Sequence, residues 1–182
     1  MTADRLAPFR VGHPDQSEYA PFYASYLARV TEEPLPALES QERATQAILA
    51  KVSETTAGHR YAPDKWSVRE VVGHLADAER IMSYRVLRIA RADPIPLEGF
   101  DEGAYVRAAG ADARPWATLV GDLAVVRAAT LALLHSLDAQ AWQRRGTANG
   151  AIVSVRALAH IIVGHERHHL EILRTRYGIP SA

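Results

Sequence analysis

Apolar positions along the chain recur at helical spacing, and no stretch keeps the period-2 alternation of a strand with one buried face. Prolines at 8, 14, 21, 34, 36, 63, 94, 96, 115 and 180 leave three long proline-free windows. Each window can hold helix, because an interior proline costs about 3 kcal/mol or more. The first predicts a helix from about Leu38 to Val52, rich in Ala, Glu, Gln and Leu. The second runs from Ser67 to about Arg91 and opens on Ser67-Val-Arg-Glu70. That opening fits a capping box, in which serine and glutamate satisfy each other's free backbone N–H groups. The third window is too long for one helix and breaks at Arg145-Gly-Thr-Ala-Asn-Gly150. It divides into a helix from about Trp116 to Ser136 and another from Ser154 to about Tyr177. Gly178 suits the position after the last helix, and Pro180 follows it.

Four long amphipathic helices with little or no sheet predict an all-α fold, a four-helix bundle. The bundle is expected to span 35–182. Residues 1–34 differ in character, with Tyr19, Phe22, Tyr23 and Tyr26 clustered in a short segment. They predict an extension whose extra helical segment packs on the bundle. The linker Asp93–Glu102 combines rigid and turn-forming residues and is a candidate lid or wall for a site.

A chain of 182 residues is long enough for one domain with a decorating extension. Its 21 Lys plus Arg balance 21 Asp plus Glu, which argues against nucleic-acid or anionic-membrane partners because either needs a basic surplus. The lack of cysteine removes disulfides, thiolate metal sites and a cysteine nucleophile. No apolar run approaches the roughly 20 residues of a membrane span. The opening residues, MTADRLAPFR, lack the apolar core of a signal peptide. The expected compartment is the cytoplasm.

Four of the eight histidines, His160, His165, His168 and His169, fall close together in the last helix. With His165 at zero on a helical wheel, Leu158, Ile161, Ile162, His169, Ile172 and Leu173 fall between about −40° and +80°. His165 and His169 therefore share the core stripe, one turn apart. His168 sits at its edge near about −60°, and His160 points away near about −140°. Two imidazoles at i, i+4 can reach one cation, and without one they would bury polar nitrogens that need partners. The best third ligand is His74, whose face carries Val71, Ala78, Ile81 and Met82. Three inward histidines would leave a coordination position open, as catalytic sites do. His13, His59 and His135 lie near loops or helix ends and receive no role.

The stretches YAPDKWSVREVVGHLADAER (61–80) and SVRALAHIIVGHERHHL (154–170) resemble the DinB-like superfamily. The resemblance covers about residues 35 to 178. It implies a four-helix bundle holding one divalent metal through three histidines, which by position are His74, His165 and His169. It further implies a metal-dependent hydrolase or a thiol S-transferase acting on a small molecule. Zinc or nickel is expected ahead of manganese or iron, and a thiol cosubstrate of low molecular weight would have to be supplied to a chain without cysteine. Asp77, one turn after His74, is a candidate base or ligand-orienting group. Arg85 is a candidate anchor for substrate carboxylates, ahead of Arg88. The alternative is a non-catalytic metal-binding stress-response module.

A second apolar stripe on the last helix, Ala159, Val163, Leu170 and Tyr177, lies almost opposite the histidines. It needs cover, either from the aromatic N-terminal segment or from a partner. A homodimer is expected, as the commonest soluble assembly.

Overall fold

The computed structural model describes residues 10–181. Short 3-10 turns at Gln16–Glu18 and Pro21–Tyr23 lead into a one-turn helix α1 (Ala24–Leu27). There follow α2 (Pro34–Leu49), the single turn α3 (Glu54–Ala57), α4 (Val68–Ala90) and α5 (Glu102–Ala109). A 3-10 turn at Ala111–Ala113 precedes α6 (Trp116–His135) and the short α7 (Ala139–Gln143). An antiparallel hairpin, β1 (Arg145–Ala148) and β2 (Ala151–Ser154), feeds α8 (Val155–Tyr177).

The four long helices form the bundle. α4 and α2 each pack against both α6 and α8, so α2 stands diagonal to α4. The Ser67–Glu70 capping box forms as the sequence predicts, and Ser154 caps α8. Gly178 ends α8 in the left-handed conformation, with φ 69°.

Two expectations shift. The first long helix starts at Pro34, ahead of the expected Leu38, and its first turn accommodates both Pro34 and Pro36. The first N–H groups of a helix have no partner within it, so prolines are tolerated there. The break at 145–150 is a hairpin turn as well as an interruption. Asn149 and Gly150 both have positive φ, 51° and 73°, the backbone that Asn-Gly favours in a two-residue connection. The hairpin reaches back to the Asp93–Glu102 linker, where Leu97 N–H donates to Thr147 O (2.9 Å) and Asn149 N–H to Leu97 O (2.8 Å). That linker is a fastened wall.

α6 is apolar enough, with a mean hydropathy of 1.7 over its best window, to cross a membrane on length and composition. In this fold it lies against α2 and α4 and carries the buried Arg127 into the bundle. The stripe opposite the histidines on α8 is covered within the chain. Ala159 and Val163 are fully buried in a core cluster that also holds Leu27 and has Tyr23 and Tyr26 packed on it. Half of the stripe on which the homodimer expectation rests is thus occupied by the N-terminal segment; Leu170 is partly buried, and Tyr177 packs in the other cluster with its hydroxyl donating to the Trp66 backbone oxygen.

The bundle interior is divided. One apolar cluster gathers Leu38, Ala78, Met82, Leu134, Leu158 and Val163; the other gathers Leu49, Leu75, Leu123, Val126 and Leu173. Near the boundary between the two, each long helix carries buried polar groups: Gln41 and Thr45 on α2, Glu79 on α4, Arg127 and Thr130 on α6, and His165, Glu166 and His169 on α8.

Candidate metal centre

His74 comes from the second turn of α4, and His165 and His169 from successive turns of α8, all three buried. Their candidate ligand nitrogens lie within 4.8 Å of one another. The rings of His74 and His165 have centroids 5.0 Å apart, those of His74 and His169 4.8 Å, and those of His165 and His169 4.6 Å. Nε2 of His74 faces Nε2 of His165 at 3.1 Å. Ligands of a tetrahedral ion at about 2.0–2.1 Å stand roughly 3.3 Å apart, so this pair needs little adjustment to share a cation. Without an ion the same contact is an N–H···N hydrogen bond between two neutral rings. Three neutral nitrogen donors on separate turns of two rigid helices suit a borderline-soft divalent metal.

Burial sets the charge state. Desolvation pushes the imidazole of His74 down to about 4, against a smaller upward pull from Asp77. His165 falls to about 3 and His169 to about 2, again chiefly through burial, with the neighbouring imidazoles adding to it. The three rings are neutral at pH 7 with lone pairs available, the state a metal ligand requires. Trp66 packs on the His74 ring at 4.9 Å, and Tyr26 on the His165 ring at 5.4 Å. His168 stands outside the trio, 5.3 Å from the Tyr26 ring and only partly buried, at the edge of the stripe as the helical wheel predicts.

Behind the histidines lies an ionic knot that pattern reading missed. Arg127 on α6 clasps Glu79 on α4 through Nε (2.9 Å) and Nη2 (2.8 Å), and its Nη2 also reaches Glu166 on α8 at 2.6 Å. Gln41 on α2 donates to Glu166 at 2.5 Å, and Thr45 donates to the other carboxylate oxygen. All four long helices thus meet at Glu166, the residue after His165. A buried charge is tolerated only when paired and hydrogen-bonded, so the knot holds His165 in register across the bundle. The signal available in the sequence was Glu166 within Gly-His-Glu; its partners come from three other helices and share no spacing with it.

Asp77 lies at the rim, one turn beyond His74, where it forms an ion pair with Arg80 at 2.9 Å. Arg85 is buried, and its Nη2 donates to the backbone oxygen of Glu98 at 2.8 Å. It lines a cleft of about 240 Å³ with Phe22, Tyr23, Phe100, Glu102 and Asn149. Tyr26 joins this cleft to the histidines, its ring 6.1 Å from Phe22 on one side and 5.4 Å from His165 on the other. Glu102 keeps much of its surface in water, yet the protein around its carboxyl, with Asp101 beside it, raises its pKa. Arg88 turns to Asp93 and Tyr84 on the outer surface, apart from the cleft's lining.

A profile of the DinB superfamily matches residues 37–173. Among solved structures, YfiT from Bacillus subtilis superposes with a TM-score of 0.70 at 19% identity, covering 92% of this chain and 94% of that one. It is described as a probable metal-dependent hydrolase with an unusual four-helix bundle topology. No curated protein matches the chain. With the family's motif segments on α4 and α8 converging on one histidine trio, and the profile covering most of its length, this chain belongs to the DinB superfamily.

Proposed function

We propose that the chain is a divalent-metal-dependent enzyme of the hydrolase type acting on a small molecule. The observation that carries this is the convergence of three buried, neutral imidazoles at one point, with Tyr26 packed between His165 and the Phe22 side of the Arg85 cleft. YfiT's description as a probable metal-dependent hydrolase, in a structure of the same fold, supports it. His74, His165 and His169 would hold the ion. When bound, such an ion supplies Lewis acidity, polarising a carbonyl or acidifying a water or a thiol. The remaining chemistry belongs to residues of this chain. Arg85, held by the Glu98 backbone oxygen and lining the cleft, would hold an anionic group of the substrate. Glu102, whose pKa burial raises, is a candidate to exchange a proton with substrate in the cleft. Asp77 biases His74 from the rim. Phe22, Tyr23 and Phe100 give the cleft an apolar side against which a substrate's hydrocarbon part would pack. With no cysteine in the chain, a thiol transfer at this site would bring its sulfur as a cosubstrate.

The test is metal content followed by turnover. Untagged protein should bind zinc or nickel, and His169→Ala should lose that ion while its far-UV circular dichroism is unchanged. Turnover on a panel of esters, amides and thiol acceptors should vanish with a chelator and return with metal. Tight binding with no turnover across the panel would make the chain a metal-binding module. Undiminished turnover in His169→Ala would overturn the assignment.

A further inference from the structure

A metal-binding histidine is ordinarily oriented by a hydrogen bond from its other ring nitrogen to a carboxylate or a backbone oxygen. No side chain or backbone oxygen among the described residues takes that part at His74. The one hydrogen bond of its ring is the Nε2 contact with His165, which an ion shared by the two would replace. Packing sets the ring instead. The indole of Trp66 lies against it with centroids 4.9 Å apart, and its other ring contacts are with His165 and His169 themselves.

Trp66 is half-buried and stands outside α4, immediately before the Ser67 cap. Its carbonyl therefore lies ahead of the helical ladder, and it accepts from the hydroxyl of Tyr177 at 2.6 Å. Tyr177 is the last residue of α8, eight residues beyond His169 and about 12 Å further along the helix. It is buried, and its ring meets Tyr61 at 4.9 Å and His59 at 6.2 Å edge to face, both in the loop that leads to Trp66. Burial pushes the Tyr177 hydroxyl up to about 12, so it stays a donor at working pH. The contacts close a circuit: α8 supplies His165 and His169, ends on Tyr177, and returns through Trp66 to His74 on α4.

We infer that Tyr177 is a positioning residue for the metal centre: by fastening Trp66, it fixes the indole that sets the His74 ring against His165 and His169. The inference rests on those three histidines holding an ion. A ring left free to turn surrenders that freedom when it binds, which weakens affinity. The clamp is not needed to begin α4, because the Ser67–Glu70 capping box already does so.

Zinc affinity, measured by competition with a chromophoric chelator, tests this together with the visible spectrum of the cobalt-loaded protein. Tyr177→Phe keeps the ring and removes only the hydroxyl. It should bind zinc about tenfold more weakly, the low end for groups that orient a ligand, and shift the cobalt bands. Trp66→Leu should weaken zinc at least as much. The double variant should be no weaker than Trp66→Leu alone, since Tyr177 acts through Trp66. Trp142→Phe, in the other core cluster, should lower the thermal midpoint and leave affinity and spectrum as in the parent. Unchanged affinity and spectrum in Tyr177→Phe would overturn the inference, as would an equal loss of affinity in Trp142→Phe. A double variant weaker by the full Tyr177 factor would also overturn it. A parent that binds no zinc would sink the trio instead, and the clamp would be decided on metal-free protein. There the His74 ring resonances should shift in Tyr177→Phe, and unshifted resonances would refute the clamp.

Discussion

A Cβ on Gly164 would lie 2.1 Å from the backbone oxygen of Tyr26. Real Cβ atoms do not approach backbone so closely, so this glycine is what lets the N-terminal segment cross α8 directly beside His165. Gly164→Ala should therefore push α1 off the helix. Overpacking of this kind costs about 1–3 kcal/mol. Urea denaturation should show the loss, and amide exchange should accelerate across α1 while the centres of α4 and α6 keep their protection. Unchanged exchange in α1 would show that the segment accommodates the methyl without moving.

Arg127 is the one cation in the knot around Glu79 and Glu166, where its side chain is 3% exposed. Arg127→Met keeps most of the volume and leaves two buried carboxylates without their counter-charge. Breaking a buried pair from one side typically costs about 3–5 kcal/mol. The thermal midpoint should fall accordingly, and metal binding should weaken because Glu166 adjoins His165. A variant as stable as the parent would mean that Gln41 and Thr45 suffice for Glu166.

Acid should destabilise the metal-free protein earlier than its carboxylates alone would require. The folded chain holds His74 near about 4, and His165 and His169 lower still, whereas an unfolded histidine takes a proton near about 6.5. Between those values the unfolded state binds more protons, so stability falls as pH drops from about 6.5 towards about 4. Urea midpoints in chelator at pH 7, 6 and 5 should decline in that order. His165→Ala/His169→Ala should show a shallower decline. Equal slopes for the two proteins would place the sensitivity in other groups.

Glu18 anchors the N-terminal segment from its other end. It is 1% exposed, accepts from Arg156 Nε at 2.8 Å, and has its pKa lowered to about 2, chiefly by that arginine. Its contribution is present above the ordinary value of 4.5 and is lost as pH falls through about 2. Glu18→Gln should cost about 3 kcal/mol at pH 7 by linkage, and much less near pH 2. Chemical denaturation at the two pH values measures the difference. An equal cost at both would assign the loss to packing.

The sequence by itself determined the four long helices, since proline placement, the Ser67–Glu70 capping box and the 3.6-residue period are local signals that act on the backbone where they occur. It also determined which histidines share the core stripe of α8, because i, i+4 spacing is a property of a single helix. The pairing of His74 with them was legible too, through its own apolar face and the family's motif. Short elements escaped. The break at Arg145–Gly150 was visible as an interruption only, because hairpins of four-residue strands gain their stability from what they pack against, here the Leu97 wall and the start of α8. Tertiary structure alone decided the knot of Gln41, Thr45, Glu79, Arg127 and Glu166, since polar groups from four helices meet only once the bundle is closed. It decided, too, that the N-terminal segment covers Ala159 and Val163, because that cover depends on the missing side chain at Gly164. Periodicity shows which face of a helix must be buried; only the packed chain shows what buries it.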